Sequence, residues 1–178
     1  MLSAAVSGDE GGFARLWRDA HPPLLRYLRV VAGDAAEDVA AEVWLEVARK
    51  LRRFEGTEPQ FRGWLFTLAR RRVIDMRRSG TRRPVRLTAD VEELDRPAAD
   101  DTAAAALDNL STEEALALIA TLPSQQAEVI MLRVIAGLDV AQVARIIGKR
   151  PGAVRAAAHR GLRVLAVRLS VPAARGKE

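Results

Sequence analysis

Apolar residues recur along most of this chain three and four positions apart, the spacing of helices that bury one face. Phe13, Leu16 and Trp17 precede Pro22-Pro23, and Leu24, Leu25, Leu28 and Val31 follow at helical spacing. Gly33 is the expected C-terminal cap of that run. Asp34, with Glu37 three residues on, is the expected N-cap of the next helix, whose buried stripe is Val39, Val43, Val47 and Leu51. Residues 54–59 read as a loop, and a long helix is predicted over about 60–78. Between Ser79 and Asn109 the periodicity stops and Gly, Thr, Pro, Ala and Asp predominate, with Pro84 and Pro97 interrupting helix. Periodicity resumes at Ser111. A short helix is expected over 112–120, and Ser124 is the expected N-cap of a second that carries Val129, Ile130, Leu132 and Val134 and is closed by Gly137. Asp139 then caps the first of two helices joined by Gly148-Lys149-Arg150, and Pro151 sits where the first turn of the second tolerates it.

The prediction is an all-α chain of two small helical domains, 1–86 and 112–172, joined by an extended or disordered linker, 87–111, and followed by a tail, 173–178. With aromatics at 4% of 178 residues, the core must be built mainly from Leu, Val, Ile and Ala.

Charge adds a partner. The net charge of +5 and a pI of about 10.6 point to an anionic one. The distribution is more telling. Arg62, Arg70, Arg71, Arg72, Arg77, Arg78, Arg82, Arg83 and Arg86 face one acid, Asp75, whereas nine acids between Leu87 and Glu114 face only Arg96. The basic excess returns from Ala115 to Leu169. Two nucleic-acid-facing modules joined by an acidic connector fit this layout.

On the first basic helix, Leu65, Phe66, Ala69, Val73 and Met76 form the apolar arc, with Arg70, Arg71, Arg77 and Arg78 on the roughly opposite side. That stripe lacks the glutamates a merely solvated face usually carries, which favours phosphate or base contact over solvation. Phe61 reads as core; Trp64 reads equally as core or as a platform for an unpaired base. On the last helix, Val154, Ala157, Ala158, Gly161, Leu162, Leu165 and Leu169 form the buried arc, and Arg155, Ala156, His159, Arg160 and Arg163 face outward. A helix-turn-helix presents such a face to the major groove. Arg155 and His159 are then the candidate base readers, with Arg150, Arg160 and Arg163 on phosphates. A trihelical packing domain with a basic face is the bland alternative.

Nothing points to an enzyme. There is no glycine-rich phosphate loop, no Gly-x-Ser-x-Gly, no paired catalytic carboxylates, and neither His21 nor His159 has ligand partners, so no metal or cofactor is expected. Asp38 and Glu42, four apart on one helix, read as a partner-binding or solvated face. The absence of cysteine, of a signal-peptide pattern and of any apolar run near the ~20 residues of a membrane span leads to an expected cytoplasmic location without membrane insertion.

Three stretches carry a resemblance. The chain resembles the extracytoplasmic-function sigma factors of the sigma-70 family. AEDVAAEVWLEVARKL looks like region 2.2, FRGWLFTLARRRVIDMRR like regions 2.3 and 2.4, and LIATLPSQQAEVIMLRVIAGLDVAQVARIIGKRPGAVRAAAHRGLRVL like region 4. The resemblance implies a non-enzymatic factor that binds core RNA polymerase at the beta-prime clamp and beta flap. Such a factor melts the −10 promoter element, reads the −35 element and is commonly silenced by an anti-sigma factor. Asp38, Glu42, Trp44 and Leu45 fall where the family binds polymerase. Arg62, Trp64, Arg70 and Arg71 fall in or beside the strand-opening segment, and Arg77 and Arg78 extend the expected −10 contacts. Arg155, Ala156, His159 and Arg160 fall on the −35 reading helix, flanked by Arg150 and Arg163. Ala41 stands where many members carry Gln, Arg71 where Asn is common and Ala156 where Ser is common.

Two other classes remain. An ordinary helix-turn-helix regulator needs a ligand pocket in residues 12–84, where the sequence shows a basic stripe instead. A nucleic-acid enzyme needs metal-binding acids beside the arginines, where only Asp75 is close.

Overall fold

The computed structural model describes residues 1–80 and 111–170, and every regular element among them is helical. The expected linker before Ser111, the tail, Pro84 and Pro97 lie outside the described residues. The elements are α1 (Leu2–Val6), α2 (Glu10–Ala32), α3 (Ala36–Lys50), α4 (Glu58–Gly80), α5 (Thr112–Ala120), α6 (Ser124–Ile130), α7 (Val140–Ile147) and α8 (Pro151–Ser170).

α2 runs unbroken through Pro22 and Pro23. Its inner face places Leu16, Ala20, Leu24, Tyr27 and Leu28 against α3 and α4. The α3 stripe of Val39, Val43, Val47 and Leu51 is buried as its spacing predicts. α4 buries Phe61, Leu65, Phe66, Leu68, Ala69 and Val73. α1 has no long apolar period and was not anticipated. It crosses α2 at Gly12, where an added Cβ would lie 2.7 Å from the Ala4 Cβ, so only glycine permits that approach.

Two caps differ from expectation. Gly33, at a φ of 58°, leads into a single 3-10 turn over Gly33–Ala35. The turn leaves Ala35 at the α3 N-cap, so Asp34 caps nothing and Glu37 instead reaches Arg29 at 3.5 Å. At α6 the N-cap is Pro123 in an extended conformation, and Ser124 is already helical. The loop before α4 is also shorter than expected, since Glu58 and Pro59 belong to the helix.

In the C-terminal half, Ser111 and Glu114 form a capping box for α5, and Asp139 and Gln142 form one for α7. α6 widens into a π-helical turn over Met131–Ile135, with Ala136 N–H bonding Met131 C=O at 3.0 Å. This turn rotates Val134 out of the core, leaving it 45% exposed. Gly148, left-handed at φ 69°, makes the turn between α7 and α8. α8 packs on α6 at Gly161, where a Cβ would meet the Ile130 Cδ1 at 2.6 Å.

The halves also touch each other. α2 packs on α5 and α6, and α4 packs on α7, so the buried side chains form one contiguous cluster.

Candidate nucleic-acid interface

α8 carries the more open basic surface. Its apolar side is consumed by packing on α6 and α7, which orients the rest of the helix outward. Arg150, Arg155 and Arg163 are exposed, His159 and Arg160 are half-exposed, and Ala156 is half-buried beside them. None of these four arginines forms an ion pair among the described residues. Arg155 and Arg163 are two turns apart on one side, about 12 Å along the axis. A row of unpaired guanidiniums on a helix held by a short turn suits an extended polyanion.

α4 differs from expectation. Its arginines are not without acidic partners; the partners come from other helices. Arg62 pairs with Asp19 at 2.9 Å. Arg72 reaches Glu46 at 3.0 Å and Glu42 at 3.7 Å. Arg70, only 26% exposed, pairs through Nε with Glu128 of α6 at 2.9 Å. Arg77 donates to the Val31 carbonyl at 2.6 Å. Arg70 and Arg77 therefore sit at the margins of the apolar arc rather than opposite it, within reach of α6 and α2. Arg71 and Arg78 are exposed and form no ion pair among the described residues. Trp64 is half-buried, its ring tilted against Phe54 and Phe61 at centroid distances of 5.2 and 5.8 Å, so one side of the indole is packed.

On α3, Asp38 and Glu42 are exposed, and Leu45 is 58% exposed, an apolar residue turned to solvent. Trp44, one position earlier, is 8% exposed and belongs to the core. Its Nε1 donates to His21 Nδ1 at 3.1 Å, and the imidazole stacks on Trp17 at 4.5 Å. That bond requires an unprotonated Nδ1. Burial lowers the His21 pKa, with Glu37 pulling weakly the other way. Glu46 has its pKa lowered, chiefly by the hydrogen bond from Lys50 and then by that from Arg72, against a desolvation effect that raises it.

Five participants were not read from the sequence: Asp19, Tyr27, Glu46, Glu128 and Gln142. Tyr27 is fully buried and its hydroxyl donates to Glu128 Oε1 at 3.1 Å. Gln142 Nε2 donates to the Pro59 carbonyl at 2.9 Å, joining α7 to the first turn of α4. A lone acid between buried Ala127 and Val129 was the only local sign of Glu128.

Residues 13–83 match the family described as Sigma-70 region 2, and residues 107–165 that described as Sigma-70, region 4. The chain is 34% identical over 171 residues to the ECF RNA polymerase sigma factor ShbA of Streptomyces griseus, covering 91% of this chain and 90% of that one. It is 35% identical over 172 residues to SigL of Mycobacterium tuberculosis, covering 93% and 96%. Among solved structures, the sigma factor RpoE of Bartonella quintana, determined with the anti-sigma factor NepR, shares the fold. Its TM-score is 0.65 at 21% identity, over 90% of this chain and 98% of that one. The chain belongs to the extracytoplasmic-function sigma factors of the sigma-70 family. Its function is promoter-specific initiation of transcription with RNA polymerase and promoter DNA as partners. Among the described residues no helix is long and apolar enough to cross a membrane.

Proposed function

We propose that residues 1–86 form the polymerase-binding and −10-melting domain and residues 112–172 the −35-reading domain, with 87–111 as connector and 173–178 as tail. The carrying observation is the α8 face, where Arg150, Arg155, Arg160 and Arg163 lack acidic partners among the described residues while Val154, Ala157, Leu162 and Leu165 of the helix are buried against α6 and α7. Arg155 and His159, with Ala156 between them, read base edges; Arg150, Arg160 and Arg163 hold phosphates. On α4, Arg71 and Arg78 are open to the −10 strand, and Arg62, Arg70 and Arg77 join them once their present partners release. Trp64 offers its unpacked side to a flipped base. Exposed Asp38, Glu42 and Leu45 form the clamp contact, with buried Trp44 fixing the backbone that presents them.

The protein acts in the cytoplasm as a non-catalytic subunit and needs no cofactor. A partner of the anti-sigma type silences it by covering these surfaces. Each module offers few base contacts, so promoter selection requires polymerase. Run-off transcription with purified core polymerase tests this: specific transcripts are expected only with both components. Equal promoter-specific binding without polymerase would favour an ordinary helix-turn-helix regulator.

A further inference from the structure

We propose that Ala156 reads a thymine, seating the 5-methyl group of that base between the cations of α8. The inference rests on the role proposed above for α8. It goes further, from the helix that reads the −35 element to the base that one of its side chains selects.

At about 100° per residue, Ala156 and His159 lie near the middle of the outward face of α8, with Arg155 on one flank and Arg160 on the other. Ala156 thus stands where a helix in the major groove meets base edges. Three alanines follow one another here, and alanine favours helix without any ligand. Two of them have packing roles: Ala157 is buried and Ala158 packs against the core. Among the described residues Ala156 does neither, so its methyl is left for something outside the fold.

The side chains around it are hydrogen-bond donors. Arg155 and Arg160 only donate, and His159 carries at least one N–H. From Pro151 to Ser170 the helix has no Asn, Gln, Asp or Glu. It therefore lacks the amide that pairs with adenine N6 and N7 and the carboxylate that accepts from cytosine N4. Gly152, one turn before Ala156, brings no side chain, and a Cβ there would meet nothing within 4 Å.

A base edge set against Ala156 finds no hydrogen-bonding group in that side chain. The amino groups of adenine and cytosine would lose water there without a replacement. The two acceptors of guanine suit an arginine on either flank, not a methyl. Thymine differs, because its major-groove edge carries a methyl group beside the O4 acceptor. The methyl meets the Ala156 Cβ while O4 accepts from a flanking donor. Removing one such methyl from water is worth about a fourfold change in binding.

Holoenzyme assembled from the full chain and core RNA polymerase first selects its −35 element from a promoter library. Each thymine of that element, on both strands, is then replaced in turn by deoxyuridine. Deoxyuridine keeps the hydrogen-bonding groups of thymine and lacks only the methyl. One position is expected at which the replacement weakens wild-type binding about fourfold. At that position Ala156→Gly, which removes the Cβ, and Ala156→Ser, which sets a hydroxyl on it, should bind the two DNAs within about twofold of each other. Each comparison is a ratio of two DNAs on one protein, so any folded fraction lost by a variant cancels. An element with no specified A·T pair, equal binding of thymine and deoxyuridine at every position, or a penalty that both variants keep overturns the inference. A −35 preference that neither Arg155→Ala nor His159→Ala alters refutes α8 as the reading helix, and the thymine contact with it. A preference set by those two residues, with no deoxyuridine penalty, refutes the thymine contact alone.

Discussion

The indole Nε1 of Trp44 donates to Nδ1 of His21 at 3.1 Å, tying α3 to α2 through a neutral imidazole. Protonation would place a second donor against the indole N–H and break the bond. Because burial lowers the folded-state pKa of His21 below the usual 6.5, the unfolded chain takes up this proton first. Stability contributed by the pair is thus complete above about pH 6.5 and is lost as pH falls through the lower folded value. Urea midpoints at about pH 7.5 and about pH 5.5 should fall more for wild type than for His21→Gln, which does not titrate. Equal falls would show that His21 titration is not linked to folding.

Two glycines on α8 should respond to substitution with opposite signs. At Gly161 a Cβ would stand 2.6 Å from Ile130 Cδ1 and 3.3 Å from Gln126 Cβ. Gly161→Val should cost about 1–3 kcal/mol by overpacking, and adding Ile130→Val should return part of it. At Gly152 a Cβ meets nothing within 4 Å, so Gly152→Ala should stabilise by up to about 1 kcal/mol through the unfolded chain. Chemical denaturation of the full chain measures both.

These contrasts also mark what the sequence carries. Val39, Val43, Val47 and Leu51 on α3, and Val154, Ala157 and Leu165 on α8, announce their burial because helix period and buried face coincide. Asp139 and Gln142 announce a cap because the chemistry is local. Asp34, with Glu37, carries the same local pattern and Ser124 is a favoured capping residue, yet neither caps its helix, since the 3-10 turn over Gly33–Ala35 and the rigid backbone of Pro123 each move the helix start by a residue. The Arg70–Glu128 pair was illegible for a different reason. Its members are 58 residues apart, and no helical period in either segment refers to the other. A wheel of α4 alone therefore reads Arg70 as a solvent-facing cation, when a helix from the other half supplies its partner.

Removing the α7 cap should separate local from distant effects. Asp139 Oδ1 accepts from Gln142 N–H at 2.7 Å, and Gln142 Oε1 accepts from Asp139 N–H at 3.0 Å. Asp139→Ala should cost about 1 kcal/mol of stability. Alanine keeps the backbone N–H that Gln142 Oε1 accepts from, but it loosens the turn that places this glutamine, whose Nε2 bonds Pro59 on α4. Amide exchange should therefore quicken in the first turn of α7 and at the start of α4 together. Acceleration confined to α7 would mean that Gln142 holds the two halves without help from its cap.

The division of labour on α8 is open to direct measurement. Arg155 lies on the first exposed turn after Pro151, where a guanidinium reaches a base edge with two donors. Arg155→Ala should cost about 1–3 kcal/mol on the preferred −35 sequence and relax preference at one position. Arg163 is also exposed but two turns further on, where a straight helix leaves the curved floor of the groove and meets the backbone. Arg163→Ala should weaken all sequences alike and reduce the salt slope of binding by about one. Neither arginine forms an ion pair among the described residues, so each loss reports on DNA and not on a broken internal bond. The measurement is holoenzyme binding to a promoter library at two salt concentrations. A changed −35 preference in Arg163→Ala, with preference intact in Arg155→Ala, would place the base-reading surface at the opposite end of the helix.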